Sequence, residues 1–312
     1  MKKVKNFFAN GVLSKKIWAL GKRKLIRRKQ DKIARFWNPI IDKYFAGNLP
    51  IDEIKAKADL KGKTVVWQYW GQGMSGELPE LVKICFSSVD KYCSDYTIIR
   101  LDDSTIQDYI DFPDYVWKEV GEPKFKRVFF SDLLRLALLA KYGGVWIDAT
   151  ILLTGALPKR YFEMDFFVFQ RDDKVFDESN WPSTDMKYWS SDPDFKVRML
   201  TSIMFAKSNN ELVSVLLAIL LYYWKTQTRI RHYFILQILY HELITGRLQQ
   251  AKPFVESDTY SHLLRMLVDG HENVSTVTEL LATTHIHKLT YLEDEPMSRF
   301  RRLLRCIEEK DF

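Results

Sequence analysis

The chain has 312 residues, 46% of them hydrophobic and 28% charged, with three cysteines and a net charge of +7. That is long enough for one large domain with a substantial core, and the composition excludes a disordered or low-complexity chain. Cys85, Cys93 and Cys306 have no metal-binding spacing and are too sparse for a disulfide framework, so a reducing compartment is expected.

The charge is uneven. Residues 1–35 hold thirteen Lys or Arg against one acid, Asp31, a local +12 that leaves −5 on the remainder. Phe7, Phe8, Val12, Leu13, Ile17, Trp18, Leu20 and Leu25 punctuate this basic segment at roughly helical spacing. A basic amphipathic helix of this kind suits an anionic membrane surface. A packed or solvated basic arm is the alternative; no nucleic-acid-binding motif accompanies the charge, and none is expected as a partner. No signal-peptide core is evident, and the longest apolar run, Leu212 to Trp224, falls short of the ~20 residues a membrane span needs. The expectation is a cytoplasmic protein held peripherally at the inner face of the membrane. Asn38-Pro39 and Gly47-Asn48-Leu49-Pro50 are breakers, so residues 1–62 are read as leader and linker.

Thr64 to Tyr69 is apolar and β-rich, a first strand, followed by a loop made flexible by Gly71, Gly73 and Gly76. A helix follows from Glu77 to about Lys91, then a strand from Tyr96 to Leu101, and Asp102 and Asp103 cap a short helix. Another helix is expected over Tyr115 to Val120. Ser131 to Tyr142 carries a wide apolar stripe and reads as a largely buried helix, with Asp132 and Arg135 sharing one face. Tyr142-Gly143-Gly144 ends it, and Val145-Trp146-Ile147 is a short buried strand with Asp148 at its end. A carboxylate at the C-terminal tip of a buried strand, beside a helix bearing Asp and Arg, is a typical ligand site in an open α/β sheet. Strands follow at Phe166 to Gln170 and Thr201 to Ala206, separated by a polar, aromatic, irregular stretch. Helices are expected at Glu211 to Lys225, Ile230 to Ile244, Tyr260 to Val268 and Met297 to Lys310. Strands alternating with helices imply an α/β fold with a mixed, mostly parallel sheet flanked by helices.

The segment S-D-L-L-R…Y-G-G-V-W-I-D-A-T, over Ser131 to Thr150, resembles the S-D-x-x-R…Y-G-G-x-Y-x-D-x-D signature of DXD-containing sugar transferases, and in particular their capsular polysaccharide synthesis branch. W-Q-Y-W-G-Q-G, from Trp67 to Gly73, and H-K-L-T-Y, from His287 to Tyr291, are two further matches in the same order. The resemblance implies a GT-A, Rossmann-like domain over residues 63–296, with residues 297–312 as a C-terminal helix. It implies a glycosyltransferase that moves a sugar, with retained configuration, from a nucleotide-sugar donor, a UDP-sugar, to a cell-surface polysaccharide or lipid-linked oligosaccharide.

The resemblance also carries expected roles. Asp148, Asp132 and Arg135 would act at the reacting sugar and phosphate. Trp67, Gln68, Trp70, Gly143, Gly144 and Lys288 would hold the donor. Asp148, Thr150 and His287 would hold a Mn2+ or Mg2+ ion, with His285 as a lesser candidate. Carboxylates and other oxygen ligands suit such ions. Thr150 stands where the second Asp of the signature would be, so the metal is expected to bind more weakly than usual. Core tryptophans, a structural histidine and an intrahelical ion pair are the alternative readings of these residues. Asp172, Asp173, Trp181 and Asp185 are candidates for gripping an acceptor sugar, or members of a solvated loop. The alternative at the level of function is a non-catalytic sugar-nucleotide or glycan-binding scaffold; a sugar-phosphate transferase is a third reading.

Overall fold

The structure is a computed structural model and describes residues 12–120, 122, 125–175, 185–271 and 275–309. Phe7, Phe8 and Trp181 lie outside the described residues.

The described residues open with a single 34-residue helix, α1 (Val12–Phe45). It runs through Pro39, so the break expected at Asn38-Pro39 does not occur. The reason is tertiary: Ile26, Ile33, Trp37, Ile40 and Ile41 are all buried on either side of the proline. Packing of that stripe offsets the one backbone hydrogen bond proline cannot donate. The helix stops where Gly47 adopts φ +71°, a left-handed conformation open to glycine.

Next come β1 (Lys55–Ala56), β2 (Val65–Tyr69), α2 (Glu80–Tyr92), β3 (Thr97–Leu101), β4 (Ile110–Asp111) and α3 (Asp114–Val120). The motif-bearing segment gives α4 (Arg127–Tyr142) and β5 (Gly144–Ile147), with the short β6 (Ile151–Leu153) and α5 (Lys159–Glu163) after it. The second half holds β7 (Phe166–Gln170), β8 (Met199–Ala206), α6 (Glu211–Thr226), α7 (Ile235–Thr245), α8 (Asp258–Val268), α9 (Val277–Thr283), β9 (Ile286–Lys288) and α10 (Asp294–Glu308). The helix expected from Ile230 begins only at Ile235.

The central sheet has five strands in the order β3-β2-β5-β8-β7. β3, β2 and β5 are parallel; β8 runs antiparallel to both β5 and β7. The fold is therefore α/β with a mixed sheet flanked by helices. β2 is buried at all five positions and β5 at its last three, as expected for strands covered on both faces. One face of the sheet packs against α4, α6, α7 and α1 in the largest core cluster. β6 and β9 form a separate antiparallel pair beside the C-terminal tip of β5. α10 packs Met297, Phe300 and Ile307 into a smaller core with Leu264 of α8 and Leu280 of α9.

At the junction of α4 and β5 the backbone is tightly constrained. Gly143 and Gly144 have φ of +71° and +92°, and a Cβ on Gly144 would stand 2.2 Å from the Val65 carbonyl oxygen. This glycine pair lets the chain reverse direction and bring β5 against β2.

Candidate active site

β5 ends at Ile147, and Asp148 follows at the point where β5, β6 and β8 converge. Its backbone N–H donates to the Ser202 carbonyl at 2.8 Å, which fixes the residue to β8. One carboxylate oxygen, Oδ1, accepts from Trp146 Nε1 at 2.7 Å and from Arg135 Nη2 at 3.3 Å. The other, Oδ2, accepts from Lys288 Nζ at 3.3 Å. Burial by itself would raise the Asp148 pKa; Arg135 and Lys288 outweigh it and hold the group below the ordinary carboxylate range.

Arg135 reaches this point from α4. Its side chain is only 4% exposed and is held on all sides. Nη1 donates to the Thr201 carbonyl at 2.6 Å, Nε donates to the Ser131 carbonyl at 3.1 Å, and the guanidinium lies over the Trp146 ring, 5.1 Å from its centre. Asp132, one turn back on α4, faces the same guanidinium at 3.4 Å. Burial pushes the Asp132 carboxyl up to about 6, with Arg135 opposing and Asp148 adding to the rise.

Lys288 comes from the far end of the sequence. β9 pairs with β6 so that Lys288 stands opposite Ile151 and His287 opposite Leu152. Successive residues of a strand face opposite ways. Lys288 turns toward Asp148 and also donates to Thr150 Oγ at 2.8 Å. His287 turns the other way. It is fully buried, its Nε2 bonded to Thr154 Oγ at 2.9 Å, and burial lowers its pKa to about 3. His285 also meets Thr154, at 3.3 Å.

Asp132, Arg135, Asp148, Thr150 and Lys288 all line one cleft of about 640 Å³. Ser202 and Gln237 line its wall from β8 and α7; Tyr188, Trp189, Tyr233 and Tyr291 supply aromatic surface; His262, Arg265 and Asp269 contribute from and just beyond α8. Arg265 pairs with Asp269 at 2.7 Å. Asp185 lines the cleft too. Behind the Tyr188-Trp189 wall is a buried ion pair: Arg171 and Asp258, both at 0% side-chain exposure, joined at 2.8 Å, with the Tyr188 hydroxyl donating to the same carboxylate at 2.8 Å. The Arg171 guanidinium lies 3.9 Å from the Trp189 ring centre. This core pair anchors the segment after the irregular stretch to the end of β7 and the start of α8.

The other expected donor residues are elsewhere. Trp67 is fully buried, donates from Nε1 to the Gly143 carbonyl and packs between Tyr109 and Tyr142. Gln68 is fully buried, its amide oxygen accepting from Arg100. Both are core residues of a central strand with no access to the cleft. Gly143 and Gly144 sit at the opposite end of β5 from Asp148, where they serve strand packing. Trp70 is nearly buried against Val82, Phe86 and Ala149, and reaches the cleft only through Tyr291, 6.2 Å between ring centres. Asp172 and Asp173 line a second hollow, with Lys196, Arg198 and Tyr240, and do not join the cleft. The aromatic wall, Arg265 and Tyr233 were missed from sequence. Arg265 and Tyr233 fall in expected helices and Tyr291 in the last matched motif, and no local pattern aims these side chains at one cleft.

The expected divalent ion does not fit the donor set. A metal between Asp132 and Asp148 would have to displace the Arg135 guanidinium that bridges them. A metal between Asp148 and Thr150 would have to displace the Lys288 ammonium. His287, the third expected ligand, faces away. Among the described residues, no group of three or more His, Cys, Asp or Glu is arranged to hold a metal ion.

No curated protein matches the chain in sequence. Among solved structures, it is similar to the PaToxG glycosyltransferase, at 16% identity over 92% of this chain and 97% of that one, with a TM-score of 0.36. It is also similar to a glycosyltransferase involved in the glycosylation of the major capsid of PBCV-1, at 9% identity over 77% and 99% of the two chains, TM-score 0.38. Both likenesses are distant, and the family assignment rests on the sequence match alone. The profile of the family described as "capsular polysaccharide synthesis protein" matches residues 17–303, nearly the whole chain. The chain belongs to the capsular polysaccharide synthesis protein family.

Proposed function

We propose that this protein is a glycosyltransferase that takes a sugar from a nucleotide-sugar donor, a UDP-sugar, and adds it to a growing cell-surface polysaccharide or a lipid-linked oligosaccharide. One observation carries the reading: the Asp148 carboxylate at the tip of a buried strand opens on a large cleft where Arg135 and Lys288 converge with it.

The chemistry follows from those groups. The C1–O bond to the β-phosphate breaks, and its electron pair stays on the phosphate oxygen. The acceptor hydroxyl oxygen bonds to C1, and its proton passes to that same departing oxygen on the same face, so configuration is retained. Until that proton arrives negative charge grows on the diphosphate, and a cation fixed beforehand lowers the barrier because no reorganisation is needed during the step. The Lys288 ammonium is such a cation. Arg135, gripped by Thr201, Ser131 and Trp146, holds Asp148 in place, and Asp148 and Asp132 accept hydrogen bonds from sugar hydroxyls. The aromatic wall of Tyr188, Trp189, Tyr233 and Tyr291 offers flat apolar surface to a nucleobase or a sugar ring.

The test is Asp148→Asn, with release of UDP followed across a panel of UDP-sugars. Turnover is expected to fall roughly a hundredfold or more, the scale of losing a charge-assisted contact at the reacting centre. Near-normal turnover sinks the assigned role. The basic leader suggests that the protein works at an anionic membrane surface, where a lipid-linked acceptor would be presented.

A further inference from the structure

We infer that Lys288 takes the place of the divalent cation, so that the donor's diphosphate is bound and its leaving charge neutralised without metal. The inference rests on the proposed donor site and concerns how that site is charged.

Charge balance supports it. A dication held between two carboxylates is locally neutral. An ammonium held between one carboxylate and one hydroxyl is neutral as well. Here Lys288 Nζ stands 2.8 Å from Thr150 Oγ and 3.3 Å from Asp148 Oδ2. The threonine matches the ammonium: its hydroxyl accepts a hydrogen bond and adds no charge. An aspartate at position 150 would leave the pair one negative charge in excess and invite a dication. The ammonium has three N–H donors, and these two partners leave a third to meet a diphosphate oxygen. Its side chain is 17% exposed, at the cleft wall. β-Sheet register fixes it there: β9 is bonded to β6, and the Leu289 N–H donates to the Thr150 carbonyl at 2.9 Å. Arg135 closes the other approach, because its guanidinium bridges the two carboxylates that would otherwise form a metal site.

The experiment uses the full chain and two probes. UDP is titrated calorimetrically in EDTA and again with manganese, and manganese alone is titrated by electron paramagnetic resonance. UDP is expected to bind in EDTA, with added manganese changing its Kd by no more than about twofold. Lys288→Ala should weaken UDP binding in EDTA roughly ten- to hundredfold, the loss of one charge-assisted hydrogen bond. Lys288→Arg should restore most of it. Free manganese should keep its unbound spectrum with the wild type and become bound in the double variant Thr150→Asp, Lys288→Ala. UDP binding that appears only with manganese, or stoichiometric manganese binding by the wild type that Asp148→Asn abolishes, overturns the inference. So does a Lys288→Ala protein that binds UDP in EDTA as the wild type does. If neither UDP nor ADP, GDP or CDP binds under either condition, the donor reading itself falls, and this inference with it.

Discussion

Burial leaves the Asp132 carboxyl titrating near 6 while its neighbour Asp148 stays ionised, although the same guanidinium faces both. The difference lies in what else reaches Asp148: the Lys288 ammonium, with hydrogen bonds from Trp146 and Ser202, while the Asp148 charge itself raises Asp132. A pH signature follows. Asp132 is raised above its ordinary value of 3.8, so the folded state holds that proton more tightly than the unfolded chain. Its contribution to stability is therefore greatest below about pH 4 and declines as the pH rises to about 6. Substituting Asp132→Asn should remove that decline, visible as a flatter melting temperature across the interval. If ionised Asp132 accepts from a donor hydroxyl, kcat/KM of the wild type should rise through an apparent pKa of about 6. The variant should lose that rise and fall roughly tenfold or more in activity. A variant that keeps both the rise and the activity places Asp132 outside the reaction.

Among the elements, two tethers govern the cleft. The Arg171–Asp258 pair ties the segment carrying Asp185, Tyr188 and Trp189 to the sheet and to α8. Removing one member strands the other in a dry interior. Arg171→Ala should therefore cost ~3–5 kcal/mol and raise KM more than it lowers kcat, because it loosens the wall and leaves the reacting centre in place. Melting curves with steady-state kinetics check both parts; an unchanged KM in a folded variant argues that the wall has no ligand. The second tether is α1. Trp37 donates to the Ile235 carbonyl at 3.2 Å, Gln30 accepts from the Lys196 N–H at 2.9 Å, and Arg27 pairs with Asp194 at 3.2 Å. The leader is thus partly core. Deleting residues 1–22 should leave the fold intact, whereas deleting 1–35 strips out Ile26, Ile33 and Ala34 as well. The large apolar side chains among them are worth ~1.5–3 kcal/mol each when buried, so the longer deletion should melt far lower or fail to fold.

For the molecule as a whole, the proposed membrane role falls to the same helix. Leu20 and Leu25 are exposed at 63% and 53%, and the polar side is strongly basic. The shorter deletion should weaken binding to vesicles containing anionic lipid, and added salt should weaken the full-length protein's binding in the same way. Binding that is indifferent to both would give the basic segment another purpose. No helix among the described residues is long and apolar enough to cross a membrane.

Local signals were strong where short-range physics decides the outcome. The apolar stripe of α4, the glycine stop and the buried run of β5 were all legible, because helical periodicity and backbone sterics act within a few residues. Asp132, Arg135 and Asp148 could be singled out for the same reason. Pro39 misled, since a breaker's local cost was outweighed by packing that no local pattern reveals. The glycines and tryptophans near the motif also misled: motif position does not say which end or face of a strand a residue occupies. Lys288 and His287 are adjacent in sequence, and the register of β9 on β6 sends them to opposite faces.

The amino-acid order alone therefore determined the α/β character, the elements around Asp148 and the carboxylate itself. Tertiary structure decided which cations meet that carboxylate. Lys288 lies 140 residues away from it, and only sheet pairing and core packing, which sum many weak long-range contacts, bring the two within bonding distance.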